Sequence, residues 1–313
     1  MIMKKYLLAL VVFFMITGNV MAQETMKVEI KNGMLKAVNG VVYKSIYTGK
    51  TSRQLTMNIL EPDNNELKPV VVFYPGGGFM TANNDRFVEM RTALAKAGFV
   101  VVCAEYRTLP DMYPALVEDA KQAVRYVKTH AAELGADSTR VGVLGNSAGG
   151  YVAQMMGTTN GESMYDVGDF LNVSSDVKAV CTIFGISNLL NIGEGYNEDI
   201  LKVHASPSST ESLLIYGPSF AGSIGKSILS DSVKALKASP IGHIKENIPP
   251  FLIMHGSADK LVSPKQSEHL YNALKAKQNK VDYVIVDGAG HGDLYWYQQP
   301  VIDKVVNWFK KNL

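Results

Sequence analysis

Short apolar runs and amphipathic stretches alternate along most of the chain. Continuous apolar runs are typical of strands buried on both faces of a sheet, and they occur at residues 70–74, 99–104, 140–144, 177–184, 251–254 and 281–286. Two further strands are predicted at 42–47 and 54–60, the second because apolar and polar positions alternate there. Apolar residues at helical spacing predict helices over 83–96, from Leu116 to Val127, after Ser147, after Pro264 and towards Phe309.

Strands that alternate with helices predict an α/β domain, here residues 23–313, with a mostly parallel central sheet and helices on both faces. Residues 185–247 interrupt this alternation, since they hold no clear strand and many Ser, Gly and Asn residues. We expect them to form a partly helical, cap-like insertion over the active site. Ser263, Pro264 and Gln266 predict a helix start, with a serine N-cap, proline at the first helical position and a capping box.

The N-terminus has the pattern of a targeting segment. Lys4 and Lys5 precede an apolar stretch at 6–17 that is too short to span a bilayer comfortably, and Ala22 ends a sequence suited to cleavage. Residues 1–22 are therefore predicted to be a signal peptide, the alternative being an uncleaved anchor. We expect an exported protein, periplasmic or extracellular, without a stable membrane anchor after cleavage.

Composition limits the possible partners. The 313 residues are 47% hydrophobic and 19% charged, with a formal net charge of +2, so nothing indicates a nucleic-acid partner. No metal-binding or phosphate-binding motif is present, and no cofactor is implied. The two cysteines, Cys103 and Cys181, lie within apolar runs, which favours two free, buried thiols over a disulfide.

Ser147 is the first candidate for chemistry. It lies in the sequence Gly145-Asn146-Ser147-Ala148-Gly149, between a predicted strand and a predicted helix. This G-x-S-x-G pattern is typical of a sharp strand-to-helix turn that exposes a nucleophilic serine. The alternative is a glycine-rich turn with an ordinary surface serine, and the remaining residues that the chemistry needs decide between them.

A serine nucleophile needs a base that a third group orients. Asp259 follows the strand at 251–254, and His291 follows the strand at 281–286 within a glycine-rich loop. Ser147, Asp259 and His291 thus leave the carboxyl ends of strands in the chain order expected for such a serine. The remaining histidines are expected to be structural or solvated: His130, His204, His243, His255 and His269.

Acyl transfer also requires hydrogen-bond donors for a developing oxyanion. The N–H of Ala148 is one candidate. The glycine loop 76–78, which ends the strand at 70–74, is the natural source of others. Candidate substrate-binding residues are Phe79, Asn146 and Trp296.

These motifs together resemble the α/β-hydrolase esterases. The resemblance rests on the sequence from Tyr74 to Phe79, on Tyr106 to Pro110, on the serine turn, and on the segments containing Asp259 and His291. It is closest to the bacterial acetyl-xylan and feruloyl esterases, which are related to the hormone-sensitive-lipase-like esterases. The resemblance implies an α/β-hydrolase fold, oxyanion N–H groups from Gly77, Gly78 and Ala148, and a structural Asp119 near Arg107. Pro75 departs from the family, which usually has a histidine that braces the glycine loop.

The sequence therefore predicts a secreted serine carboxylesterase acting through an acyl-enzyme. We expect a short acyl group, acetyl, on a polysaccharide or oligosaccharide of the plant type, because the 185–247 insertion is polar and carries Tyr196 and Tyr216. The alternatives are a feruloyl esterase or general lipase-like esterase, a dipeptidyl-peptidase-like serine hydrolase, and a non-catalytic hydrolase fold used for binding.

Overall fold

Eight strands form a single sheet at the centre of residues 33–313. The structure is a computed structural model that describes residues 24–30, 33–219 and 224–313, and the predicted signal segment 1–22 lies outside them. Residues 24–30 contain no helix or strand. The strands are β1 (Leu35–Thr48), β2 (Thr51–Pro62), β3 (Lys68–Tyr74), β4 (Val100–Ala104), β5 (Ala136–Asn146), β6 (Ala179–Ile183), β7 (Phe251–Gly256) and β8 (Val281–Val286).

The strand order is β1-β2-β4-β3-β5-β6-β7-β8. Strand β2 pairs antiparallel with both β1 and β4, and all later neighbours pair in parallel, as the continuous apolar runs predict. The parallel strands bring their carboxyl ends to one edge of the sheet. Ser147 follows β5, Asp259 follows β7 and His291 follows β8, so the topology places all three at that edge.

Helices cover both faces of the sheet. They are α1 (Val88–Lys96), α2 (Ala115–Thr129), α3 (Ala148–Thr158), α4 (Glu198–Ala205), α5 (Thr210–Tyr216), α6 (Ser232–Lys237), α7 (Lys265–Ala276) and α8 (Gln299–Asn312). The apolar faces of α2, α3 and α7 pack into one core cluster, whereas α1 and α8 pack into the other. Within the described residues, no helix has the length and apolarity needed to cross a bilayer.

Two sequence expectations about helix starts are wrong. Helix α1 begins at Val88 instead of residue 83, because Phe87 at its N-cap takes a left-handed φ of 55° and the chain before it is loop. Gln266 forms no capping box on α7. Its Oε1 accepts hydrogen bonds from the N–H groups of Ser187 and Asn188 at 2.9 and 2.8 Å, which ties α7 to the segment after β6.

The two cysteines are free and buried, as predicted. Cys103 on β4 and Cys181 on β6 lie in one row of the sheet, separated by Phe73 and Leu144. Three inter-strand steps put their Cα atoms about 14 Å apart, twice the span of a disulfide. The pairing of the strands itself therefore keeps the thiols apart.

The segment 185–247 is partly helical and, in its described residues, contains no strand. Its Tyr196 hydroxyl donates to the carbonyl of Asp259 at 2.9 Å, so the segment contacts the loop after β7.

The predicted ion pair between Arg107 and Asp119 is also present, with Nε 2.8 Å from Oδ2, and Lys44 contacts the same carboxylate. Asp119 is fully buried and structural, as the resemblance implied.

Candidate active site

Ser147 lies at a sharp turn between β5 and α3. Its backbone has φ 54° and ψ −124°, a conformation that side chains rarely adopt, and its N–H donates to the carbonyl of Ile183 at 3.0 Å. Glycines make this turn possible. A Cβ on Gly145 would lie 2.0 Å from the carbonyl oxygen of Gly149, and one on Gly149 would lie 2.0 Å from that of Tyr74. The glycines thus permit the strained backbone that presents the half-buried Ser147 to the cavity.

His291 links the serine to a carboxylate. Its Nε2 lies 2.8 Å from the Ser147 Oγ, and its Nδ1 lies 2.8 Å from the Asp259 Oδ2. The carboxylate accepts, so Nδ1 carries a proton, and Nε2 of the neutral ring then accepts from the serine hydroxyl. This is the tautomer that a general base for Ser147 requires.

Two buried aromatic residues hold His291 in place. The Phe184 ring packs against the imidazole with centroids 4.5 Å apart, and Trp296 packs against Phe184 at 4.8 Å. The Trp296 Nε1 also donates to the carbonyl of Gly290 at 2.8 Å, which fixes the loop just before the histidine. These contacts limit the directions in which the imidazole can turn.

Asp259 is buried, with 4% of its surface exposed. Its Oδ1 accepts from the N–H groups of Leu261 and Val262 at 2.9 and 3.1 Å, while Oδ2 faces His291 and His255. Burial opposes ionisation of Asp259, but the hydrogen bonds from His255, His291 and Leu261 outweigh it and hold the pKa of the carboxyl well below its ordinary value. The group is therefore a carboxylate at neutral pH.

The glycine loop lies beside the serine. The N–H groups of Gly77, Gly78 and Ala148 donate to no acceptor within the described residues, so all three remain available to a ligand. Gly77 and Gly78 line the cavity at Ser147, and Ala148 begins α3, whose positive dipole end points at the same place. Their role as oxyanion donors stays a prediction.

A different pair of residues braces the loop that lacks the family histidine. The Gly76 N–H donates to the Asn146 Oδ1 at 3.0 Å, and the Tyr106 hydroxyl donates to the Pro75 carbonyl at 2.6 Å. Asn146 and Tyr106 are both buried. The loop is thus held from both sides without a histidine.

A cavity of about 230 Å³ opens over Ser147 and His291. Asn146 lines it, and its role as a substrate-binding residue stays a prediction. Phe79 and Trp296 do not: they are 1% and 0% exposed. Both support the site from within the core, since Phe79 packs against Tyr151 and Trp296 packs against Phe184.

Six residues of the cavity wall were not predicted as site residues, namely Arg86, Phe87, Phe184, Leu261, Gly292 and Tyr297. Arg86 and Phe87 fall in the stretch that was predicted to be helical. Leu261 and Phe184 could have been found, since Leu261 lies two residues after Asp259 and Phe184 ends the predicted strand at 177–184, at the carboxyl edge of the sheet. None of the described residues of 185–247 lines the cavity, so Tyr196 and Tyr216 do not supply the expected aromatic platforms.

The described residues form no cluster of metal ligands. No group of three or more His, Cys, Asp or Glu side chains there could hold a metal ion. The chemistry that the described residues offer is that of a serine, its base and the adjacent N–H donors.

The chain is similar to known esterases. The sequence model of the BD-FAE family matches residues 57–274, well over half of the chain, and includes Ser147 and Asp259. A probable isoprenylcysteine alpha-carbonyl methylesterase of Oryza sativa subsp. japonica is 26% identical over 266 residues, which are 81% of this chain and 58% of that protein. The chain spans about half the length of the curated relatives it matches.

Solved structures share the fold. A truncated form of a carbohydrate esterase from gut microbiota has a TM-score of 0.76 at 24% identity, covering 88% of this chain and 96% of that one. An acetyl ester-xyloside bifunctional hydrolase from Caldicellulosiruptor lactoaceticus has a TM-score of 0.65 at 23% identity, covering 82% and 88%. The predicted α/β-hydrolase fold and the resemblance to its esterases are thereby confirmed.

Proposed function

The chain belongs to the BD-FAE family, and from that premise we propose that it is a serine carboxylic ester hydrolase. The observation that carries the proposal is the continuous hydrogen-bonded series from Ser147 through His291 to Asp259. Each distance is 2.8 Å, and the Ser147 end of the series lies at a cavity open to a ligand. This arrangement has every group that acyl transfer through a serine needs.

Acylation follows from the geometry. His291 Nε2 takes the proton of the Ser147 hydroxyl as Oγ attacks the ester carbonyl, and the N–H groups of Gly77, Gly78 and Ala148 stabilise the resulting oxyanion. His291 then gives the proton to the leaving alcohol as the carbon–oxygen bond breaks. Asp259 keeps the imidazole in the required tautomer and stabilises its charged form.

Deacylation uses the same residues in reverse roles. Water attacks the acyl-enzyme while His291 accepts its proton, and the returning proton restores the Ser147 hydroxyl as the carboxylic acid leaves. One oxyanion donor typically contributes about 10²–10³-fold to kcat, so loss of one N–H of the glycine loop is expected to cost much activity, although less than loss of the base.

The substrate that we propose is a short-chain acyl ester, acetyl, on a polysaccharide or oligosaccharide. A volume of about 230 Å³ is below the range of about 300–1,000 Å³ typical of drug-sized ligands, which favours a small acyl group. Neighbours in fold include a carbohydrate esterase and an acetyl ester-xyloside hydrolase. The composition of 185–247 no longer supports this choice, because its described residues lie away from the cavity wall.

We also propose that the protein is exported, on the basis of the apolar segment after Lys4 and Lys5. Export would bring the enzyme into contact with extracellular polymers. Expression with the natural N-terminus in a bacterial host tests this: N-terminal sequencing should find a mature protein beginning at Gln23. A protein that keeps residues 1–22 and pellets with membranes would contradict it.

The proposed activity is tested with nitrophenyl esters from acetyl to decanoyl beside acetylated xylo-oligosaccharides. We expect the highest kcat/KM with acetyl and release of acetate from the oligomers. Rates that rise with chain length, with no acetate release, would favour a lipase-like esterase, and release of ferulate from feruloylated oligomers would favour a feruloyl esterase. A panel of dipeptide amides tests the peptidase alternative, which hydrolysis of these amides would favour.

A fluorophosphonate probe tests the serine itself. The probe should label the wild-type protein once and should not label Ser147→Ala. A folded wild-type protein that takes no label would support the non-catalytic alternative and overturn the proposed function.

A further inference from the structure

Among the described residues, the wall of the catalytic cavity carries one permanent charge, and it is positive. Arg86 is the charged residue among the twelve that line the cavity, which include no Asp and no Glu. Asp259 lies behind His291 and is buried against it. The described surroundings of the reacting ester are therefore cationic or neutral.

Arg86 differs from most other arginines of the chain because its side chain has no partner among the residues that the structure describes. The sequence contains six arginines, and four form ion pairs with carboxylates: Arg53 with Asp111, Arg107 with Asp119, Arg125 with Asp166 and Arg140 with Asp137. Among the described residues, none forms a hydrogen bond or ion pair with the Arg86 side chain. Its acidic neighbours in sequence, Asp85 and Glu89, do not line the cavity. The guanidinium is thus available to a ligand.

The segment that carries Arg86 is anchored. Phe87 is 4% exposed, and its ring packs against Phe73 and Tyr297 with centroids 5.7 and 5.3 Å apart. On the other side, the Asp85 N–H donates to the Asn83 Oδ1 at 2.8 Å. Phe87 is also the N-cap of α1, so the positive end of that helix dipole lies at the same wall. The guanidinium therefore extends from a fixed point beside the cavity.

We propose that Arg86 is a specificity-determining residue that binds a carboxylate of the substrate. A guanidinium presents paired N–H donors that match a carboxylate, and such charge-assisted hydrogen bonds are about twice as strong as neutral ones. The preferred substrate is then an acetyl ester whose alcohol is an acidic sugar, and an acyl group that itself ends in a carboxylate is the alternative that the test distinguishes. This inference rests on the proposed esterase function.

Matched substrate pairs test the two positions of the carboxylate. Nitrophenyl hemisuccinate and nitrophenyl butyrate have acyl groups of the same length, one ending in a carboxylate and the other in a methyl group. Acetylated glucuronic acid and acetylated glucose make the corresponding comparison on the alcohol side. The readout is the ratio of kcat/KM for the anionic ester to that for the neutral ester.

Substitutions at Arg86 then assign the preference. In at least one pair, we expect Arg86→Gln to lower the ratio about 10-fold or more, and Arg86→Lys to retain part of it, since it keeps the charge without the planar fork. Raising the ionic strength should lower the wild-type ratio. The matched control is Arg53→Gln, an exposed arginine outside the cavity, which should leave both ratios unchanged.

The outcomes separate this inference from the proposed function. If wild-type protein takes the fluorophosphonate label and hydrolyses esters, but Arg86→Gln leaves both ratios unchanged, the carboxylate site is wrong and the esterase stands. If the wild-type protein neither takes the label nor hydrolyses any ester, both fall together.

Discussion

His255 and Asp259 are in contact within the interior of the protein, four residues apart along the chain. The His255 Nε2 lies 3.3 Å from the Asp259 Oδ2 and 3.0 Å from the carbonyl of Val262, and its Nδ1 lies 2.6 Å from the Ser267 Oγ. Both neighbours of Nε2 are acceptors, so Nε2 carries a proton, and Nδ1 accepts from Ser267. His255 is thus the second histidine that faces the carboxylate, and it lies on the side away from Ser147.

We predict that His255→Leu lowers kcat by up to about 10²-fold with little change in KM, since a misplaced Asp259 no longer orients His291. The same change leaves the Ser267 hydroxyl and the Val262 carbonyl without a partner, at a cost of about 1–3 kcal/mol in the free energy of unfolding. His255→Gln keeps an N–H donor and should retain most activity. Steady-state kinetics on a nitrophenyl acetate series and urea unfolding measure both effects.

Ser267→Ala is the matched control for His255. It removes the partner of Nδ1 while leaving the contact between Nε2 and Asp259 intact. It should lower stability with a smaller effect on kcat than His255→Leu. Equal losses of kcat in the two variants would show that His255 contributes only to folding.

Ser147→Ala and Ser147→Gly should both lower kcat by about 10⁴–10⁶-fold, because each removes the nucleophile. They should differ in stability. At φ 54° an alanine remains strained, whereas glycine adopts this conformation readily, so we predict that Ser147→Gly is more stable by about 1 kcal/mol. Both variants lose the hydrogen bond to His291, and the comparison therefore isolates the backbone. Urea unfolding of the pair measures the difference, and equal stabilities would mean that the turn stores no strain.

The triad could be predicted from the sequence because its geometry follows from chain connectivity. Ser147, Asp259 and His291 each follow a parallel strand, and the carboxyl ends of parallel strands share one edge of the sheet. A local pattern such as G-x-S-x-G depends only on neighbouring residues, so it can be recognised directly in the sequence. The alternation of continuous apolar runs with stretches of helically spaced apolar residues likewise predicts the layered fold.

The cavity wall could not be predicted in this way, because packing decides it. The apolar spacing of Phe87, Met90 and Leu94 fits a helix that starts at residue 83, yet Phe87 is an anchor in a left-handed conformation. Arg86 consequently lies in the loop before α1, where it lines the cavity. Asn146 takes the place of the family histidine as the brace of Gly76. This was equally hard to predict from the sequence, because Asn146 and Gly76 are 70 positions apart.

The cysteines allow a direct test of strand pairing. Burial raises the pKa of the Cys103 thiol to about 12, and it also raises the pKa of Cys181. Native protein at pH 8 should therefore react with no equivalent of a thiol reagent within minutes, and denatured, unreduced protein should react with two. No reaction after denaturation would indicate a disulfide, which would require a different strand order.

Asp259 should make the free energy of unfolding depend on pH in the acid range. Its folded-state pKa lies below the value of about 3.9 expected for an unfolded chain, so the native state favours the carboxylate. This contribution to stability is fully present above the unfolded pKa and is lost as pH falls from there through the folded pKa. The free energy of unfolding of the wild type relative to Asp259→Asn should therefore decrease between pH 5 and pH 3. Asn at this position also permits the wrong tautomer of His291, so kcat should fall about 10³–10⁴-fold at pH 7. A difference in unfolding free energy that stays constant over that pH range would show that the hydrogen bonds from Leu261, Val262, His255 and His291 do not favour the ionised carboxylate.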